Sequence, residues 1–133
     1  MSKGVRELRL AVTVDDWEAA VAFYRDVLGM PQLADFSSDD GRVVLLEAGR
    51  ATLELIDPRQ ADFIDRVEVG QRVAGPIRVA LEVDDSAATT QALVDGGARL
   101  VKEPTETPWR SLNARLEAPG DLQLTLFQEL DSP

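Results

Sequence analysis

Two acidic pairs, Asp15-Asp16 and Asp84-Asp85, stand 69 residues apart, and each closes an octapeptide that opens on arginine. Arg9-Leu10-Ala11-Val12-Thr13-Val14-Asp15-Asp16 returns as Arg78-Val79-Ala80-Leu81-Glu82-Val83-Asp84-Asp85, with five of eight positions identical. Adjacent carboxylates supply general acid–base chemistry or hard-metal ligands, and an arginine holds an oxyanion. Each pair, however, directly precedes an Ala-rich stretch, where a carboxylate caps the orphan amides of a helix, so capping is the reading adopted. The chain contains no histidine and no cysteine. Ser–His and Cys–His nucleophiles, thiolate metal sites and disulfides are thereby excluded, and Ser37, Ser38 and Ser111 have no evident activating partner. Gly96-Gly97 reads as a helix stop, not as a phosphate-binding loop.

The elements that position these residues follow from periodicity. Residues 6–14 alternate as a strand, and Asp15, with Glu18 three residues on, has the spacing of a capping box. Trp17, Ala20, Val21, Tyr24, Val27 and Leu28 then recur at helical spacing until Gly29. Strands are expected at about 31–37, 42–48 and 51–57, with turns at Asp39-Asp40-Gly41 and Gly49-Arg50. Residues 58–75 read as a polar linker with a short helix around Phe63 to Val67. The order then repeats, with a strand at 76–83, a helix at 86–95, and strands near 98–103, 111–117 and 122–128. The last two are joined at Pro119-Gly120-Asp121. The chain is therefore expected to be α+β, with two tandem βαβββ modules, residues 1–57 and 76–133, joined by the linker into one domain. The modules form a pseudo-twofold curved mixed sheet with the helices on its outer face.

With 133 residues there is room for one compact unit or two small halves sharing a core. A formal charge of −10 repels phosphate backbones, so no nucleic-acid partner is expected, while cationic ligands are favoured. No apolar run reaches the roughly 20 residues of a membrane span, and residues 1–8 lack the apolar core of a signal peptide. The expectation is a cytoplasmic protein without a membrane partner.

Specific residues carry a family resemblance. Val14-x-Asp16-x-x-x-Ala20-x-x-Phe23-Tyr24-x-x-x-Leu28-Gly29, Leu53-Glu54-Leu55, and Ala118-Pro119-Gly120-Asp121 running into Leu122 to Phe127 together resemble the vicinal oxygen chelate superfamily. That superfamily includes glyoxalase I, extradiol dioxygenases, fosfomycin-resistance enzymes and bleomycin-resistance proteins. In its metal-using members, ligands come from the first and fourth strands of each module. The resemblance places Arg9, Glu54, Arg78 and Thr125 at those positions. Of these only Glu54 is a competent ligand, because a guanidinium is always protonated and a threonine hydroxyl is a poor donor to metal. No metal and no cofactor are expected, and the Lewis-acid mechanisms of the family fall with the metal.

Strand parity then assigns the floor of the cup implied by the resemblance. Arg9, Ala11 and Thr13 share one face, as do Arg78, Ala80 and Glu82; Thr52, Glu54 and Ile56; and Gln123, Thr125 and Phe127. One reading of this set is an internal Arg–Glu network, Arg9 or Arg78 pairing with Glu54. The other leaves an arginine for a ligand carbonyl, phenol or carboxylate. Trp109 lies in the Pro-bounded stretch Pro104 to Arg110, beside the pocket mouth in the resembling family. With Phe36 and Phe127 it would form a stacking platform, with Arg110 adjacent. The metal-free bleomycin-resistance branch implies a homodimer that sequesters an aromatic or glycopeptide natural product at its interface. The alternative is a metal-independent isomerase, cyclase or lyase that uses Arg9 or Arg78 and Glu54 or Glu82. A third is a structural or regulatory module whose floor is filled by the Arg–Glu network.

Overall fold

In the computed structural model, residues 9–51, 54, 56–75 and 77–130 are described. Helix α1 spans Trp17–Val21 and continues as a π-helical turn over Ala22–Val27. Strands β1 (Gln32–Asp35) and β2 (Val44–Leu46) follow as an antiparallel pair, then helix α2 (Pro58–Glu68). The second half contributes β3 (Val79–Glu82), α3 (Ser86–Asp95), β4 (Arg99–Glu106), β5 (Ser111–Ala118) and β6 (Leu122–Glu129). These four strands form one mixed sheet in the order β3-β6-β5-β4, parallel only between β3 and β6. The class is α+β, as expected, and the second half is a complete βαβββ unit.

Both halves cap their helices with the second aspartate of the pair. Asp16 accepts the Ala19 amide at 3.1 Å and Asp85 accepts the Ala88 amide at 3.0 Å. The capping-box reading of Asp15 and Glu18 is corrected, since Asp16 is the cap and Glu18 instead accepts from Arg42.

Several strand expectations are also corrected. Residues 6–8 of the expected first strand lie outside the described residues; residues 9–14 keep their alternation, with Val12 and Val14 half-buried, but join no ladder among the described residues. Period-2 patterning fixes sidedness and not a partner edge, so the pattern alone could not supply the pairing. The strand expected at 42–48 shrinks to Val44–Leu46. Of the strand expected at 51–57, residues 52, 53 and 55 lie outside the described residues, and the remainder is not strand. The first strand of the second half begins at Val79. β4 runs on through Pro104 to Glu106, because it is an edge strand whose register shifts between Lys102 and Thr105. A missing amide costs nothing at such a bulged edge. Trp109 consequently sits not in a long loop but in the tight turn Thr107–Arg110, closed by the Arg110 amide on the Thr107 carbonyl.

The core lies between α3 and the sheet. Leu93 and Ala98 pack with Ala114, Leu116, Leu124 and Leu126, and Phe23 of the π-helical turn enters the same cluster. Tyr24 ties this helix to the far hairpin by donating its hydroxyl to the Pro119 carbonyl at 2.7 Å, and burial pushes its pKa up to about 12. Beside it, Gly120 has φ +87°, and a Cβ there would stand 2.5 Å from Val12 Cγ1. Gly120→Ala is therefore expected to lose about 1–2 kcal/mol for the left-handed backbone alone, read as a lower midpoint in urea unfolding. An unchanged midpoint would show that the turn relaxes freely.

Candidate functional site

The face of the sheet away from α3 carries Ala80 and Glu82 on β3 with Arg78 just before that strand, Gln123, Thr125 and Phe127 on β6, and Asn113 and Arg115 on β5. Register sets Ala80 beside Thr125 and Glu82 beside Phe127, with Arg115 and Asn113 next across β6. Of the expected floor residues, Arg78, Glu82, Thr125 and Phe127 thus share one surface.

Helix α2 lies over this surface, where a short helix inside a linker was expected. Asp57 caps it by accepting the Gln60 amide at 2.8 Å, and Pro58 occupies its first turn. Its inward stripe is Ala61, Asp65 and Glu68, spaced i, i+4 and i+7, and all three are buried. Asp65 Oδ1 accepts from Arg78 Nη1 at 2.7 Å and from Arg115 Nη1 at 3.1 Å. Its Oδ2 accepts the Val73 and Ala74 amides, each at 2.9 Å. Glu68 accepts from Arg115 Nη2 at 2.7 Å and from Asn113 Nδ2 at 2.8 Å. Arg115 Nη1 also reaches Gln123 Oε1 at 2.8 Å.

One buried and one half-buried cation, Arg115 and Arg78, thus meet two buried anions, as buried charge requires. The internal network read from the sequence is present in kind, but the partner of Arg78 is Asp65 of α2 and not Glu54, which is exposed. Sequence reasoning missed Asp65, Glu68, Asn113 and Arg115. The polar alternation Ser111, Asn113, Arg115, Glu117 would have placed Arg115 on the floor, and Asp57-Pro58-x-Gln60 would have announced α2.

Burial pushes the Asp65 carboxyl up, but the Ala74 and Val73 amides and the Arg115 guanidinium more than offset this, leaving it at about 2. A depressed carboxyl stabilises the fold fully above its unfolded value of 3.8 and loses that contribution as pH falls through about 2. Acid titration of unfolding should therefore show a loss of roughly 2 kcal/mol between about pH 4 and pH 2. In Asp65→Asn this loss should be missing.

The remaining expected residues are dispersed. Arg9 is exposed, and so is Arg110, which has φ 64° and pairs with Glu106 at 2.7 Å. Phe36 is exposed on the β1–β2 hairpin. The ring beside Trp109 is Phe63 of α2, at 6.1 Å between centroids and tilted by 50°; neither Phe36 nor Phe127 makes a ring contact with it among the described residues. The outer side of α2 forms an open depression of about 420 Å³ lined by Asp57, Arg59, Gln60, Asp62, Phe63 and Arg66.

At the positions the resemblance assigns to metal ligands, Arg78 is committed to Asp65 and Thr125 is buried beside Arg115. Two guanidinium groups converging on one carboxylate oxygen do not fit a divalent cation. No described helix is long and apolar enough to cross a membrane.

Comparison with known proteins agrees with the geometry. TnmS3, an antibiotic binding protein from Streptomyces sp. CB03234, is 26% identical over 96% of this chain and 99% of its own, with a TM-score of 0.62. A glyoxalase/bleomycin resistance protein from the same organism is 28% identical over 86% and 93%, with a TM-score of 0.54. A member of the same superfamily from Sphaerobacter thermophilus shares the fold at 22% identity and a TM-score of 0.62, over 94% and 98%. No curated protein sequence matches. The family description Glyoxalase/Bleomycin resistance protein/Dioxygenase superfamily matches residues 8–125, and the chain belongs to that superfamily.

Proposed function

We propose that the protein is a metal-independent small-molecule binder that sequesters an antibiotic or other aromatic natural product without changing it. The observation that carries this reading is the floor itself. Where metal-using relatives place ligands, this chain presents Arg78 and Thr125, flanked by Arg115, Gln123 and Phe127. With α2 displaced from this face, such a surface orients a flat ligand by hydrogen bonds and apolar contact, and its guanidinium groups disfavour a metal ion. The likeness to an antibiotic binding protein across nearly the full chain supports the same reading.

The site forms at a homodimer interface. Leu33, Phe36 and Val43 on the β1–β2 hairpin are 58%, 60% and 50% exposed, more apolar surface than a lone hairpin keeps in water without a partner. Trp109, 43% exposed beside Phe63, supplies an aromatic wall.

Native mass spectrometry of metal-free protein against a panel of antibiotics and aromatic natural products tests the proposal. A dimer carrying about one unchanged ligand per subunit is expected; no binding anywhere in the panel overturns it. Trp109→Ala should weaken capture of a bound ligand by about 1 kcal/mol, roughly fivefold in Kd. An unchanged Kd removes Trp109 from the site.

A further inference from the structure

The geometry points to an anion-binding site between Arg78 and Arg115, occupied in this structure by the protein's own Asp65 and opened when α2 lifts. This inference rests on the reading above that the ligand enters over this sheet face, and it narrows the ligand to an aromatic bearing a carboxylate, phenolate or similar acid.

Both guanidinium groups point one nitrogen at the same oxygen, Asp65 Oδ1. Each also keeps a buried donor with no partner among the described residues, Nη2 on Arg78 and Nε on Arg115, and the Asn113 Oδ1 acceptor beside them is likewise unpartnered. Arg115 is 1% exposed, so its spare N–H is sealed beneath α2. Buried donors are normally satisfied, and here the unused ones belong to the two cations already gripping a carboxylate. A ligand acid with two or three oxygens would meet the same guanidinium groups and use the donors that Asp65 leaves over.

The covering helix is suited to release. Its fully buried stripe is one alanine and two carboxylates, whereas α3 buries Leu93 in the apolar core. Apolar packing resists exchange with a polar competitor, whereas the ion pair is re-formed by another acid at the same guanidinium groups, at the cost of the Val73 and Ala74 amide contacts that Asp65 gives up. Asp65 thus acts as a resident surrogate for the ligand.

The test uses two dyes, 8-anilinonaphthalene-1-sulfonate and the uncharged N-phenyl-1-naphthylamine, titrated by fluorescence into wild type and Asp65→Asn, with hydrogen–deuterium exchange followed on each. Asp65→Asn is expected to bind the sulfonate at least tenfold tighter while the neutral dye changes less than twofold. Residues 58–68 should exchange faster and β4–β6 should stay protected. Equal tightening of both dyes, or an α2 that exchanges as in wild type, overturns the site. Should Asp65→Asn fail to fold, Glu68→Gln keeps the Asn113 hydrogen bond and is expected to tighten the sulfonate at least threefold; no change there overturns the site. A panel compound that binds wild type while neither variant responds removes this site and leaves sequestration intact. A variant that takes up the sulfonate selectively while the panel fails keeps the site and removes sequestration.

Discussion

Arg115→Met is expected to lower the free energy of unfolding by about 3–5 kcal/mol, measured by urea denaturation near neutral pH. Arg115 is buried to 1% and joins Asp65, Glu68 and Gln123. Its loss strips Glu68 of its only cationic partner among the described residues, and an unpaired buried carboxylate is far costlier than the pair was worth. The companion variant separates the two quantities. Arg115→Met combined with Glu68→Met removes both charges, and its stability should return to within about 1 kcal/mol of wild type or exceed it. If the single change costs less than about 1 kcal/mol, the pair is solvated and α2 does not seal the sheet face.

The second large effect belongs to Phe23→Ala, with an expected loss of about 3–5 kcal/mol in the same measurement. Phe23 is 1% exposed in the cluster with Leu93, Leu116, Leu124 and Leu126, although it belongs to the first half of the chain and they belong to the second. Its ring meets Tyr24 edge-on at 5.0 Å, which adds to the apolar term. Truncation leaves a cavity at the seam between the π-helical turn and the second-half sheet. Phe23→Leu, which keeps most of the volume, should cost about 1–1.5 kcal/mol. Equal losses for the two changes would argue against a packed seam.

What the sequence disclosed follows from which forces are local. The aspartate caps and the Pro119-Gly120-Asp121 turn depend on a few neighbouring residues, and the structure places each where its pattern implied, one residue apart for the first cap. The last two strands were legible because polar and apolar residues alternate along Ser111–Ala118 and from Leu122 to Leu126. Helix α2 was underread. Apolar periodicity is the usual signal of a helix, and this one turns carboxylates inward and leaves Phe63 40% exposed. Charge pairing across 50 residues, as between Asp65 and Arg115, leaves no local trace. The candidate site was half legible for the same reason. Arg78 and Thr125 share the floor, but the partner of Arg78 comes from a segment that read as a linker.

The claim that the protein captures a ligand and does not convert it is tested most directly by incubating any panel compound that binds at tenfold excess over protein. After denaturation, the recovered compound is quantified by liquid chromatography and mass spectrometry. The account predicts that the whole amount returns unchanged, with about one equivalent per subunit retained before denaturation. A product of altered mass or retention time, accumulating beyond the protein concentration, would show turnover and contradict it.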